Sequence, residues 1–481
     1  MSPVDESGSR EGLFSRRYAA TTLTFTTVMF LTGFAALAVV PTLPTAARDL
    51  DGVALFPLVA GCFVAASLLG GVAGGHWADR VGARRPLAVG MAVSVLTLLV
   101  SASSVSVWQL AAGRFFDGLA SGVVAVSVVT AIGQAYPDHL RPAMLAMMST
   151  SWVVPSLVGP PLAGLVVETW SWRVVFYGLA VLTLLPTVAL VAVLRGRTGR
   201  ASDAATGTNE GASRPPLLAA ATLSVGAALG QYGVSGWDAR HLPFAVAGLG
   251  LLVVFAPRLL PAGTWRAARG LPTAVMLRGM ASGTFFTIEA FVPLMLITER
   301  QVSPVVTGMA FTAAAVLWAG ASWVQGGLLA AVPRHRMVVA GAAVMACAVG
   351  LAVIGSLHQA PAHLAAAAMP LAAVGMGLLD PCLTVLSLRH SPPGRQGYAT
   401  SSMQVNMNLG QVVVMALTAL VLNAGLAAGL ATQVGYACAF GLLLVPSVLV
   451  ALLAGRARAT SASPSDGCTA TPRASESSAA R

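Results

Sequence analysis

Fourteen apolar stretches follow one another along this chain, each long enough to cross a bilayer as a helix, for which about 20 mostly apolar residues suffice. They cover 19–42, 53–74, 86–104, 107–135, 143–167, 174–194, 216–235, 242–261, 272–297, 305–331, 337–357, 362–388, 398–424 and 430–454. The seventh and eighth are parted by glycines, Trp237, Asp238 and Arg240, which read as a short external turn. Charged residues make up only 9% of the 481, against about 25% in an ordinary globular chain. So little charge cannot cover a soluble protein of this size, and the exterior must face hydrocarbon. A net charge of +11 would suit nucleic acid, but the arginines stand singly or in small groups between apolar runs. A nucleic-acid protein gathers them on one soluble face, so no such partner is expected.

Arginine placement gives an orientation. None of the 28 basic residues is lysine. With the N-terminus inside, 22 arginines fall on the inner side, and only Arg48, Arg173, Arg240 and Arg300 fall outside. That is the excess expected of cytoplasmic loops. Arg114 and Arg278 lie within spans, the latter near an inner end where it can snorkel. Dropping one span would invert every later loop; dropping the seventh and eighth together would not, so fourteen spans rather than twelve rests on apolar length.

The expected organisation is a cytoplasmic tail (1–17), a six-helix bundle (18–194), a cytoplasmic linker (195–215), an inserted helix pair (216–261), a second six-helix bundle (262–455) and a disordered cytoplasmic tail (456–481). The first span reads as retained rather than as a signal peptide. Five cysteines show no metal or redox spacing, and four of them sit inside apolar runs. No metal site is expected. Abundant arginine, alanine and glycine without lysine point to a GC-rich bacterial genome, hence to a bacterial cytoplasmic (inner) membrane.

Between the second and third spans stands Gly75-His-Trp-Ala-Asp79-Arg80-Val-Gly82-Ala-Arg84-Arg85-Pro86. Gly75 and Gly82 allow a tight turn and close helix approach, and Asp79 can complement the positive end of a neighbouring helix. Arg80, Arg84 and Arg85 can pair with acids on adjoining loops, Asp138 being the nearest. This segment resembles the signature cytoplasmic loop of the major facilitator superfamily, at the same place in the helix order. In the fourth span, Arg114-Phe-Phe-Asp117-Gly118 through Gly122 resembles a second family pattern, with Asp117 in place of the usual glutamine. In the fifth, Pro155 through Gly159-Pro160-Pro161-Leu-Ala-Gly164 is similar to the antiporter signature, with Pro155 and Ala163 where glycines are usual. Gly159 and Gly164 would admit close helix approach and the prolines a kink. Trp170 to Arg173 read as an interfacial belt. A degenerate echo of the gate loop, Gly326-Gly327 to Arg334-His-Arg336, follows the tenth span.

The resemblance implies an all-α membrane fold of two pseudo-symmetric six-helix bundles, here with an inserted pair as in the fourteen-span drug:proton antiporter branch. That branch usually carries an aspartate in its first span; here the span has threonines and no acid.

Ionisable residues at bilayer depth are costly and by default functional. Arg114 and Asp117 share one face of the fourth span, Glu289 lies in the outer half of the ninth, and Asp380 lies in the inner third of the twelfth. With the inserted pair set aside, these are the fourth, seventh and tenth helices of a twelve-helix core, which in the family line the central cavity. A carboxylate held between an arginine and a buried environment can titrate as solvent access alternates. Gln404, Asn408 and Gln411 form a polar stripe at i, i+4, i+7 on the thirteenth span.

These residues are read as a proton-coupling and substrate cavity. The function expected is proton-coupled efflux of small amphipathic compounds by alternating access, with the proton gradient as energy source and no cofactor. Partners are a small-molecule substrate, protons and the lipid bilayer; the oligomeric state is left open, a monomer being plausible. A facilitator of a metabolite, peptide-like compound or lipid remains the alternative. A membrane enzyme or receptor is remote, because the chain carries no nucleophile constellation, phosphate loop or soluble sensor segment.

Overall fold

A computed structural model of the chain describes residues 12–15, 18–137, 139–195, 217–329, 331–391 and 396–458. Most of the N-terminal tail, the linker and the C-terminal tail lies outside them, as does Asp138. The described residues form helices and connecting turns, without strands. We number the principal helices α1 (Ala19–Asp49, with a short 3-10 segment inside), α2 (Val53–Val81), α3 (Arg84–Ala102), α4 (Val107–Ala135), α5 (Val153–Thr169), α6 (Trp172–Arg195), α7 (Leu217–Gly233), α8 (Leu242–Leu259), α9 (Leu271–Thr298), α10 (Pro304–Gly326), α11 (Arg334–Ser356), α12 (Ala362–Arg389), α13 (Gln396–Ala427) and α14 (Thr432–Ala457). A short helix, Arg141–Thr150, leads into α5. Among the described residues eleven helices are long and apolar enough to cross a membrane. Three shorter apolar ones, Val153–Thr169, Trp172–Val188 and Leu217–Gly233, occupy the fifth, sixth and seventh positions.

Helices are what a bilayer demands, since each satisfies its backbone donors and acceptors internally. Local chemistry sets several of their ends. Ser106 Oγ accepts from Gln109 N at 3.3 Å to start α4, and Ser303 Oγ accepts from Val305 N at 3.1 Å to start α10. Gly82 closes α2 at φ +80°, a conformation glycine adopts freely.

Without a hydrophobic drive between helices in lipid, small residues and backbone contact hold them together. In the N-terminal half α2 lies along α4 backbone to backbone. A Cβ on Gly74 would stand 2.7 Å from Val123 Cα, and one on Gly122 would stand 2.7 Å from Gly71 N. Gly75, in contrast, has ordinary room for a Cβ, so the close approach expected there belongs to its neighbour. In the C-terminal half α9 packs on α12 and α13, and α11 on α12.

The two halves meet along α5 with α10, and along α2 with α13. At the first seam a Cβ on Gly164 would stand 2.9 Å from Pro304 C, and one on Gly308 would stand 2.9 Å from Pro160 C. Gly164 therefore fulfils its expected role, while a Cβ on Gly159 would meet Phe34 at 3.8 Å and Ala38 N at 3.9 Å, both ordinary contact. The helix pair α7–α8 covers the second seam. Gln231, fully buried on α7, donates from Nε2 to Val412 O of α13 at 2.8 Å and rests its side chain on Gly61 of α2. Asn423 of α13 donates to Val234 O at 2.7 Å. In the turn between α7 and α8, the hydrogen bond from His241 holds the exposed Asp238 carboxyl below its ordinary range.

Candidate functional site

In the N-terminal half, Arg114 Nη1 donates to Asp117 Oδ2 at 2.8 Å, and their side chains are 5% and 11% exposed. Ser94 and Thr97 of α3 donate to the other carboxylate oxygen at 2.9 and 3.5 Å. The guanidinium lies over the Phe63 ring, 4.2 Å from its centre, where a cation is attracted by the ring's negative face. Asp117 thus turns toward α3 inside its own half. It borders a cavity of about 30 Å³, lined also by Thr32, Ser121 and Thr183. That volume holds a water molecule and offers it several hydroxyls.

In the C-terminal half, Arg278 does not reach away from the membrane as the snorkelling expectation had it. It crosses to α12, placing Nε 3.1 Å from Asp380 Oδ1 and Nη2 3.4 Å from Oδ2. The shorter contact is badly angled for a hydrogen bond, leaving Arg278 Nε and Asp380 Oδ1 unsatisfied as donor and acceptor although close as charges. Arg278 Nη1 also donates to Thr384 Oγ1 at 3.0 Å, and Met407 Sδ lies 4.0 Å from Nη2. The two side chains are 16% and 17% exposed.

Glu289 lies on the same face of α9 as Arg278, three turns further on and about 16 Å away along the axis. Around it the helix is almost wholly buried; from Leu277 to Ile297 only Arg278, Met280, Phe286 and Glu289 keep partial exposure. Glu289 has no hydrogen bond or ion pair among the described residues. The stripe on α13 grades from exposed Gln404 through half-buried Asn408 to buried Gln411, with Gln404 Nε2 3.5 Å from Asn408 Oδ1. Met407, next to Asn408 on that helix, lies against Arg278. Arg278, with Asp380 against it, and Glu289 three turns on therefore make a polar wall along one face of α9 in the C-terminal half, and Arg114 with Asp117 stands apart from it.

The gate motif lies at the end where α2 turns into α3. Asp79, Arg80, Arg84 and Arg85 are exposed there and make no hydrogen bond or ion pair among the described residues. The loop is held instead by Ala83 N donating to Gln134 Oε1 at 3.4 Å. At the opposite end polar contacts tie the halves together. Arg48 of α1 donates to Ile297 O at 3.2 Å and to Gln301 Oε1 at 3.4 Å, and Ser303 Oγ bonds Glu168; deeper along the same seam Thr312 Oγ1 donates to Leu157 O at 2.9 Å. Phe56 meets Phe291 edge to face, 5.9 Å between ring centres. The interfacial belt is only half realised. Trp170 is 74% exposed, but Trp172 is buried, its Nε1 donating to Asp49 at 2.9 Å beside Arg173, which reaches the same oxygen at 2.8 Å. A tryptophan at a helix start can face either way, and the Asp49 carboxylate turns this one inward.

Several contributors carried no signal in the sequence. Asn406 donates to Val275 O at 2.6 Å, joining α13 to α9; Gln231 and Asn423 dock the inserted pair; and Gly308 completes the seam opposite Gly164.

Comparison with known proteins agrees with this architecture. The family model of the Major Facilitator Superfamily matches residues 25–415. A probable multidrug-efflux transporter of Mycobacterium tuberculosis is 26% identical over 467 residues, covering 93% of this chain and 96% of its own. A multidrug transporter protein of Bacillus subtilis is 23% identical, over 86% of this chain and 77% of its own. The crystal structure of a peptide transporter with alafosfalin bound superposes with a TM-score of 0.67 at 17% identity, covering 93% of this chain and 96% of the other. The chain belongs to the major facilitator superfamily and is a multi-pass membrane transporter.

Proposed function

We propose that this transporter exports small amphipathic compounds, cationic ones included, across a bacterial inner membrane in exchange for protons. It has fourteen spans, both termini in the cytoplasm and the Gly75–Arg85 loop at the cytoplasmic end. The observation that carries this reading is the C-terminal wall, where the Arg278–Asp380 pair and the lone carboxylate of Glu289 share one face of α9. A half-buried carboxylate without a partner is a site for a cation, whether a proton or a charged drug. The pair three turns away on the same face supplies a second carboxylate whose hold on its arginine is loose enough to be exchanged. The multidrug names of the relatives support the same cargo.

The inter-half contacts at the far end, with Asp79, Arg80, Arg84 and Arg85 unengaged among the described residues, support a state closed to the outside and open to the cytoplasm. Alternating access then requires Arg48, Glu168 and Ser303 to let go while Asp79 and its arginines find partners across the cytoplasmic mouth. Gln404, Asn408 and Gln411 grade from the cytoplasmic mouth into the protein and line the way in. Asp117 acts behind this wall, linked to it through the movement of α4.

A panel of lipophilic cations and neutral amphiphiles, offered to an efflux-deficient bacterial host, tests this reading. Cells making the transporter should accumulate less of some panel members, and a proton uncoupler should erase the difference. Glu289→Gln should weaken export of the cations more than that of neutral compounds. Export that persists at full rate with the uncoupler, or a panel on which the transporter has no effect, overturns the proposal.

A further inference from the structure

A second cavity, of about 290 Å³, lies away from the polar wall, between α8, α9, α13 and α14. Its lining includes Leu252 of α8, Met280 of α9, Leu417 of α13 and Val445 of α14. Leu417 and Val445 are themselves 47% and 55% exposed, so the crevice opens on the lipid-facing surface. Its floor is thin because α9 and α13 touch backbone to backbone, where a Cβ on Gly410 would lie 2.8 Å from Gly279 Cα. From Asn406 to Leu417 the crevice runs about 16 Å along α13. That is close to half of a hydrocarbon core about 30 Å thick, the reach of one acyl chain in one leaflet.

The cytoplasmic rim of the crevice is formed by Thr264 and Trp265, in the turn between α8 and α9. Arg266 follows directly, and Arg269 lies one turn of chain beyond. Both are exposed and make no side-chain hydrogen bond or ion pair among the described residues. Arg258, also exposed, lies at the end of α8 over the Phe255 ring, and Gly270 N donates to Arg456 O at 3.2 Å, which brings the basic end of α14 alongside. No aspartate or glutamate occurs between Asp238 and Glu289, nor between Asp380 and Asp466. The elements that build this rim thus carry positive charge that none of their own residues neutralises.

We propose that the crevice holds one anionic phospholipid of the cytoplasmic leaflet, an acyl chain in the apolar slot and the phosphate between Arg266 and Arg269. Apolar walls at acyl length that end in uncompensated guanidinium groups at headgroup depth match that ligand at both ends. Basic residues at this depth favour anionic over zwitterionic headgroups. The lipid fills the gap between α8 and the C-terminal half, so it fastens the inserted pair at the cytoplasmic end as Gln231 and Asn423 do further out.

Trp265 provides the readout. The full chain is reconstituted in two sets of vesicles with identical mixtures of phosphatidylglycerol and phosphatidylcholine, bromine being carried on the chains of one lipid or the other. The Trp265 contribution is obtained by subtracting the same measurement on Trp265→Phe. Brominated phosphatidylglycerol should quench it on the order of tenfold more effectively per molecule. The Arg266→Gln/Arg269→Gln double variant, altered only at exposed positions, should quench equally with both lipids. Equal quenching in the unaltered chain, or a preference that survives the double variant, overturns the proposal. Relief of quenching by a lipophilic cation would instead make the crevice a cargo site and would equally overturn it.

Discussion

Each half of the transporter holds one arginine–aspartate pair, buried in the first and partly exposed in the second, and the two are built on different plans. Arg114 and Asp117 sit three residues apart on α4, joined at 2.8 Å, with Ser94 and Thr97 completing the carboxylate's bonds. Arg278 and Asp380 belong to different helices, meet at 3.1–3.4 Å with one badly angled contact, and among the described residues have Thr384 and Met407 as Arg278's further polar partners. A pair within one helix travels with that helix and keeps its geometry through any rocking of the halves. A pair between α9 and α12 depends on how those two helices sit, and its loose geometry lets either partner be taken by something else. Under the proposed function, the contrast gives stability and a held charge to the first and exchange to the second.

The sharpest way to break this contrast is to neutralise each aspartate in turn. Asp117→Asn keeps the shape and an acceptor for Ser94, but it leaves Arg114 charged and enclosed. Removing one member of a buried pair costs about 3–5 kcal/mol. The variant should therefore melt well below the unaltered chain in detergent, and drug-driven proton release from proteoliposomes should be lost. An unchanged melting temperature with normal proton release would show that the pair is neither a structural anchor nor a coupling group.

Asp380→Asn should cost less, about 1–3 kcal/mol, because its pair is more open and less fully bonded. Transport should nonetheless fall as far as for the first variant. Combining it with Arg278→Gln in a double-mutant cycle measures the coupling directly. A coupling energy equal to that of Arg114 with Asp117 would erase the difference between the two plans.

How much of this the sequence disclosed follows from how local each feature is. Arg114 and Asp117 are legible because a helix places i and i+3 on one face. The gate loop is legible because its residue types and spacing lie within one turn between two spans. Arg278 with Asp380 is not, since 102 residues separate them and nothing in either segment points to the other. The same holds for Asn406 and Gln231, whose partners are backbone carbonyls and leave no mark in side-chain chemistry. Glycine motifs name the region but not the residue: Gly74 rather than Gly75, and Gly164 without Gly159, make the close backbone contacts, under 3 Å from a Cβ. Helix rotation decides between such neighbours, and packing sets the rotation. Asp117 shows the same limit. Its helix is one that lines the cavity in the family, yet its side chain faces the interior of its own half.

The smallest effects probe the hydroxyls around each pair. Ser94→Ala removes one of the donors to Asp117 and should destabilise by about 1 kcal/mol. Thr384→Ala takes from Arg278 its only described uncharged oxygen partner, at 3.0 Å, but Thr384 Oγ1 also bonds back to Asp380 O in its own helix. A hydroxyl shared in that way contributes less, so its loss should cost about 0.5 kcal/mol. The kinetic consequences should run the other way. With fewer bonds holding Arg278, Asp380 is held more firmly by the arginine that remains, and exchange at the C-terminal pair should slow. Thr384→Ala should then reduce the turnover of drug-driven proton release while barely moving the melting temperature, and Ser94→Ala should do the reverse. Finding both variants impaired in the same measure would mean that the two halves use their charge pairs alike, and the division between anchor and exchanger would fall.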